Sequence, residues 1–363
     1  MKSLNNWSQF FKAMKTLQYN IHDWLRFSVS GASEVGLKDF NCRYSYFEVA
    51  SNPWNDIEVV IREFEPDLIG TYIVDRKYFI KPNFVFFEDS DKGLRWKVQI
   101  TGLNEAHTKI KVQYSRKNKL KWPWCLFSDA VLYLYILQPL IEYKLSLKNI
   151  YLMHAAAVNK PSGAIILAGR GGTYKTTLAS KMLSAGHSLL GDDLVFFDRS
   201  QLYACPIQQQ FFHYYWKKIK SEDELTFFNR IRLFAYLLFP FNGNLPISEP
   251  CIPKKLFLLR TQNRKGQARL IPCKTDLALH KLSLNNKMEE TAYTDFKYKI
   301  GHFLEAYSMV FPQYNYLQMH EDNYQTLVAL LGNIPTQILD MPNSWSDAHA
   351  EVLIKATSQM DSK

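Results

Sequence analysis

Residues 169–177 read GRGGTYKTT, between the apolar run AIILAG and the helix-like stretch KTTLASKMLSAG. The spacing is that of a phosphate loop, G-x-x-x-x-G-K-[ST], with Tyr174 where the second glycine normally stands. Such loops work by curling backbone N–H groups around phosphate oxygens at a helix N-terminus, where the helix dipole adds positive potential. Gly169, Gly171 and Gly172 supply the pliant positions, with Arg170 and Thr173 between and after them and Thr177 closing the run. Lys175 is placed to reach the β- and γ-phosphates of ATP, and the Thr176 hydroxyl to sit on Mg²⁺. Tyr174 is expected at negative φ, where the chain enters the helix, with its ring turned from the phosphates. Alone, the run also fits an ordinary strand–turn–helix connection.

Two further pieces tip the balance. The stretch HSLLGDDLVFFD (187–198) ends a strand in Asp192 and Asp193, 17 and 18 residues past the lysine. One carboxylate there can hold Mg²⁺ and the other can take a proton from an attacking hydroxyl. Upstream, YLMHAAAV puts His154 on the strand before AIILAG. A lone histidine serves structure as readily as catalysis.

The elements that must position these groups fall in two domains. Residues 40–116 read as short strands: DIEVVIREF sets Ile57, Val59 and Ile61 on one face, and HTKIKVQYS does so with Ile110, Val112 and Tyr114. We expect an N-terminal antiparallel β-rich domain over 1–120, with a role in recognising substrate or partner. A C-terminal P-loop αβ domain is expected over 121–345 and a tail over 346–363. The chain as a whole then reads as α+β or α/β. Within the second domain, KKLFLLR (254–260) is a strand, TQNRKGQ a turn, 274–309 helical, and QYNYLQMH with TLVALLGN a strand–helix pair.

Composition bounds the alternatives. With 47% hydrophobic and 21% charged residues the 363-residue chain can bury substantial cores, so it is not a disordered chain. A formal charge of +10 favours anionic partners. No long Lys/Arg run, zinc finger or RNA-binding signature accompanies that charge, so no nucleic acid is expected. The five cysteines lie at least 22 residues apart, which excludes C-x-x-C motifs and suits free thiols in a reducing compartment. The N-terminus shows no signal-peptide pattern, and the expected location is cytoplasmic. The run WPWCLFSDAVLYLYILQPLI (122–141) carries Asp129, Gln138 and Pro139, so it reads as a buried helix and no membrane association is expected.

Taken in order and spacing, His154-Ala155-Ala156, the 169–177 loop, Gly186-His187 and Gly191-Asp192-Asp193-Leu194-Val195 resemble the C-terminal domain of HPr kinase/phosphorylase and its relatives. The close likeness spans about residues 150–198 and a looser one runs to about 331. The resemblance implies an ATP- and Mg²⁺-dependent kinase that phosphorylates a hydroxyl, most naturally serine on a peptide or protein. In it Asp193 is the general base, Lys175 binds phosphates, His154 supports catalysis, and Thr176 and Asp192 hold the metal. Members often form dimers or hexamers, so a homo-oligomer belongs among the implied partners. The N-terminal domain is unlike that of the bacterial enzymes proper and argues against HPr as acceptor. It is closer to HPr-kinase-like proteins beside peptide-modification systems. The departures are Tyr174 and the absence of a clear further Mg²⁺ carboxylate, for which only Glu222 and Glu224 offer themselves. A lid is expected over 239–250. With those departures, the competing expectation is a nucleotide-binding regulator or degenerate kinase without transfer. A third, resting on charge and aromatics, is a nucleic-acid or membrane-surface protein.

Overall fold

The computed structural model describes residues 15–31, 44–91, 94–116, 131–206, 245–292, 301–314 and 316–358. The chain is mixed α/β and β-rich, and the described residues form three sheets. It divides into two compact units, Met1–Lys148 with Phe296–Met319, and Asn149–Asp295 with His320–Lys363.

The first unit holds one nine-stranded sheet. Its strands are β1 (Lys15–Ile21), β2 (Leu25–Gly31), β3 (Glu48–Val49), β4 (Ile57–Ile61), β5 (Tyr72–Val74), β6 (Tyr78–Lys81), β7 (Phe84–Asp91), β8 (Leu94–Thr101) and β9 (Thr108–Arg116). Spatially they run β3-β1-β2-β4-β9-β8-β7-β6-β5. Of the residues read onto one face, Ile57, Val59, Ile61, Ile110 and Val112 are buried and Tyr114 is half-buried, while Val60, out of phase with them, is buried as well. The sheet is not wholly antiparallel, because β2–β4 and β4–β9 pair in parallel. A period of two tells which face a side chain takes and nothing about strand direction. A π-helical turn (Val131–Leu137) leads into helix α1 (Gln138–Ser146), both lined by buried apolar residues. Among the described residues no helix is long and apolar enough to cross a membrane.

This division differs from the boundary expected near residue 120. Helix α1 belongs to the first unit because Tyr143 donates its hydroxyl to Asn104 (2.6 Å) and Lys144 donates to the Glu105 carbonyl (2.7 Å).

In the second unit the strands are β10 (Tyr151–Met153), β11 (Ala156–Lys160), β12 (Gly163–Ala168), β13 (Ser188–Gly191), β14 (Val195–Phe197), β15 (Leu202–Tyr203), β16 (Pro253–Gln262), β17 (Arg269–Pro272) and β18 (Thr336–Pro342). The helices after α1 are α2 (Lys175–Ser184), α3 (Thr275–Ala292), α4 (His302–Val310), α5 (Tyr316–Leu331) and α6 (Asp347–Ser358), of which α4 and the start of α5 belong to the first unit. A three-stranded sheet runs β10-β14-β15, and a six-stranded sheet runs β13-β11-β12-β16-β18-β17 with β12, β16 and β18 parallel. Helices α2 and α6 share a buried cluster with this sheet through Leu178, Met182 and Leu353 against Phe257, Leu339 and Met341. Residues 347–358 are therefore a packed helix where a tail was expected; Ala350 and Leu353 bury one face and Asp347 pairs with Lys181 at 2.8 Å. The stretch QYNYLQMH, expected as a strand, lies in α5 from Tyr316 onward, since its aromatic spacing also suits a helix. Helix α2 stops just before Gly186, which takes φ +90, a left-handed conformation open to glycine.

Candidate active site

The segments that carry His154 and the Asp192–Asp193 pair each pass from one sheet to the other at the same level. Residues 154–155 join β10 to β11, and residues 192–194 join β13 to β14. Met153 pairs with Val195 on one side of the crossing, and Ala157 with Gly191 on the other. His154 thus lies between strands rather than on one. Gly191 is required at the turn: a Cβ there would stand 2.0 Å from the Leu194 carbonyl oxygen.

The crossing and the start of α2 bring two groups to one atom of His154. His154 Nε2 lies 3.1 Å from Lys175 Nζ and 3.1 Å from Asp193 Oδ1. Lys175 is buried and also donates to the Gly169 carbonyl at 2.5 Å. A single ring nitrogen cannot accept from the ammonium and donate to the carboxylate at once. One proton position favours the lysine contact and the other the aspartate contact, so a proton on Nε2 decides which of the two is bonded.

Loop 169–174 frames this trio. A Cβ on Gly169 would meet Thr173 Oγ1 at 2.7 Å and the Leu259 carbonyl at 2.9 Å, so the strand end accepts only glycine. Thr173 closes the turn by donating its hydroxyl to the Arg170 carbonyl at 2.6 Å. Gly171 and Gly172 are exposed, with open space where a side chain would project. Thr177 is half-buried in the first turn of α2.

Tyr174 corrects the sequence reading. It sits at φ +63, ψ +24, the left-handed region, immediately before α2. Its glycine-like position was therefore a backbone requirement, and an L-residue there costs roughly 1–2 kcal/mol. Two contacts hold it: the hydroxyl donates to the Asn343 carbonyl, and the ring lies 5.2 Å from that of Trp345. These carry the ring toward the end of β18.

Asp192 is buried, with neither carboxylate oxygen in a hydrogen bond of normal geometry. Burial pushes its pKa up to about 7, against the pull of the neighbouring Thr176 hydroxyl. The charge of Asp193 pushes it the same way, while Lys175 lowers it. An orphaned carboxylate beside a hydroxyl fits a hard divalent cation, which takes oxygen ligands. Among the described residues no group of three or more His, Cys, Asp or Glu side chains could hold a metal. Mg²⁺ suits such a sparse set, because it keeps waters and phosphate oxygens as most of its ligands.

Two residues that hold His154 by its backbone escaped the sequence reading. Asn286 Oδ1 accepts from the His154 backbone N–H at 2.9 Å, and Asn285 Nδ2 donates to the His154 carbonyl at 3.0 Å. The signal was available: paired asparagines in the interior of a helix are poor helix formers and stand there for another reason. Glu222, Glu224 and the first part of the expected lid, 239–244, lie outside the described residues. Residues 245–250 are not a free lid, since Leu189 donates to Pro246 and Ser248 to Leu189 along β13. Among the described residues Cys251 and Cys273 are free thiols.

No protein-family model matches this chain, and no curated protein matches it.

Proposed function

We propose that the chain is a Mg²⁺-dependent ATP phosphotransferase acting on a hydroxyl, serine on a peptide or protein, through a P-loop domain similar to that of HPr kinase/phosphorylase. The observation that supports it is the convergence of Lys175 and Asp193 on His154 Nε2 beside an open glycine loop. The loop N–H groups and Lys175 hold the phosphates, Lys175 leaving the Gly169 carbonyl to do so. Asp193 takes the proton of the acceptor hydroxyl as the new O–P bond forms and the bond to the leaving ADP oxygen breaks. His154, through its Nε2, orients Asp193 when that nitrogen carries a proton and accepts from Lys175 when it does not. Asp192 and Thr176 would hold Mg²⁺, which neutralises charge on the phosphates when bound. Such a reading belongs with a cytoplasmic protein and carries a homo-oligomer as a further expectation.

The test is label transfer from γ-labelled ATP to serine peptides with Mg²⁺. Lys175→Ala should fold and lose turnover by about two to three orders of magnitude; unchanged turnover contradicts the proposal. A second reading, a nucleotide-binding regulator without transfer, draws on Tyr174 at the glycine position and on the inward contact of Lys175 with Gly169. Nucleotide binding without transfer to any acceptor selects it.

A further inference from the structure

Asp340 has no exposed surface, and three arginines surround it. Arg260 Nε bonds Oδ1 at 2.7 Å, Arg269 Nε bonds Oδ2 at 3.0 Å, and Arg264 Nη2 reaches Oδ2 at 3.4 Å and the Asp340 carbonyl at 3.0 Å. Strand register dictates the meeting, because Asp340 on β18 pairs with Arg260 on β16 and with Arg269 on β17. Cross-strand partners share a face.

One guanidinium is enough to neutralise one carboxylate; here two positive charges are left over. Arg260 and Arg269 bond through Nε, which leaves the terminal nitrogens of both forks without a partner among the described residues. Arg264 Nε is buried and also lacks an acceptor. A purely structural ion pair would turn its forks inward, as bidentate carboxylate recognition does. Instead the Arg260 and Arg269 side chains are 43% and 59% exposed.

The cluster adjoins the glycine loop. Arg260 follows Leu259, whose carbonyl lies against Gly169. Asn343 donates to the Gln262 carbonyl at 2.9 Å while accepting from Tyr174, so the C-terminal ends of β16 and β18 are tied to the loop after β12. Ligands of parallel sheets gather at such ends.

We propose that Arg260, Arg264 and Arg269 form an oxyanion subsite for the carboxylate of an acidic side chain flanking the acceptor serine. This rests on the peptide-kinase reading above and names its substrate class. Forks this exposed suit a group delivered on a longer chain rather than a phosphate enclosed by the loop. The net charge of +10 attracts such a chain.

The test measures binding of fluorescent serine peptides to the full chain without nucleotide, so it stands apart from any failure of phosphoryl transfer. A peptide with Glu on both sides of the serine should bind about tenfold more tightly than its Gln counterpart at low salt. Arg260→Gln/Arg269→Gln should abolish the preference and Arg269→Lys keep part of it. A photo-crosslinking Glu peptide on the unaltered protein should attach within residues 260–269, which decides the matter even if the double variant fails to fold. Equal binding of both peptides, crosslinks elsewhere, or displacement of the Glu peptide by pyrophosphate would each overturn the proposal.

Discussion

Tyr174 shows how a single residue can occupy a glycine position and at what cost. Its left-handed backbone is offset by one hydrogen bond and one ring contact. Tyr174→Ala keeps the strained φ and loses both contacts, whereas Tyr174→Gly loses the contacts and relieves the strain. Urea denaturation should find Tyr174→Ala less stable than Tyr174→Gly by about 1 kcal/mol; equal stabilities would mean the tyrosine is not strained. The sequence made the loop legible because its glycines, lysine and threonine carry a fixed spacing. It hid the sign of φ at 174, because the neighbours that hold the tyrosine there, Asn343 and Trp345, are remote in sequence.

At the scale of elements, two strand crossings and two helices set the site, α2 supplying Lys175. The pairs β10–β14 and β11–β13 bring 154 and 193 together, and α3 holds His154 by its backbone from the other side. Asn286 is a positioning residue in the proposed reaction. Asn286→Ala should cost about 1 kcal/mol of stability and lower turnover about tenfold, with nucleotide affinity unchanged in a titration. A loss of nucleotide affinity equal to the loss of turnover would place Asn286 in binding instead. The local pattern of Gly191-Asp192-Asp193 announced a strand end in the sequence. That β13 and β14 belong to different sheets did not show, because period and propensity report an element's face and never its neighbours. For the same reason the parallel β2–β4–β9 pairing and the packed helix α6 had to be seen in space.

At the scale of the whole molecule, the buried ion cluster on β18 ties stability to pH. Burial alone would push Asp340 up, but its bonds to Arg260 and Arg269 hold it below the ordinary carboxylate value. A depressed folded pKa means this stabilisation is complete above the unfolded value of about 3.9. It is lost as the pH falls through the lower folded value. Thermal melts should therefore drop steeply below about pH 4. Asp340→Asn should be less stable by about 2 kcal/mol at pH 7 and show a shallower acid limb; an identical acid limb would remove Asp340 from the account. The arginines proposed above to seat an acidic peptide are the ones that hold this carboxylate ionised. The measurement that bears most directly on the central claim is single-turnover transfer from γ-labelled ATP and Mg²⁺ to a Glu-flanked serine peptide, comparing the unaltered chain with Asp193→Asn. The account predicts labelled serine from the former, with a rate lowered by about two to four orders of magnitude in Asp193→Asn while nucleotide still binds. Equal rates from the two proteins, or bound nucleotide and no labelled peptide from either, would contradict it.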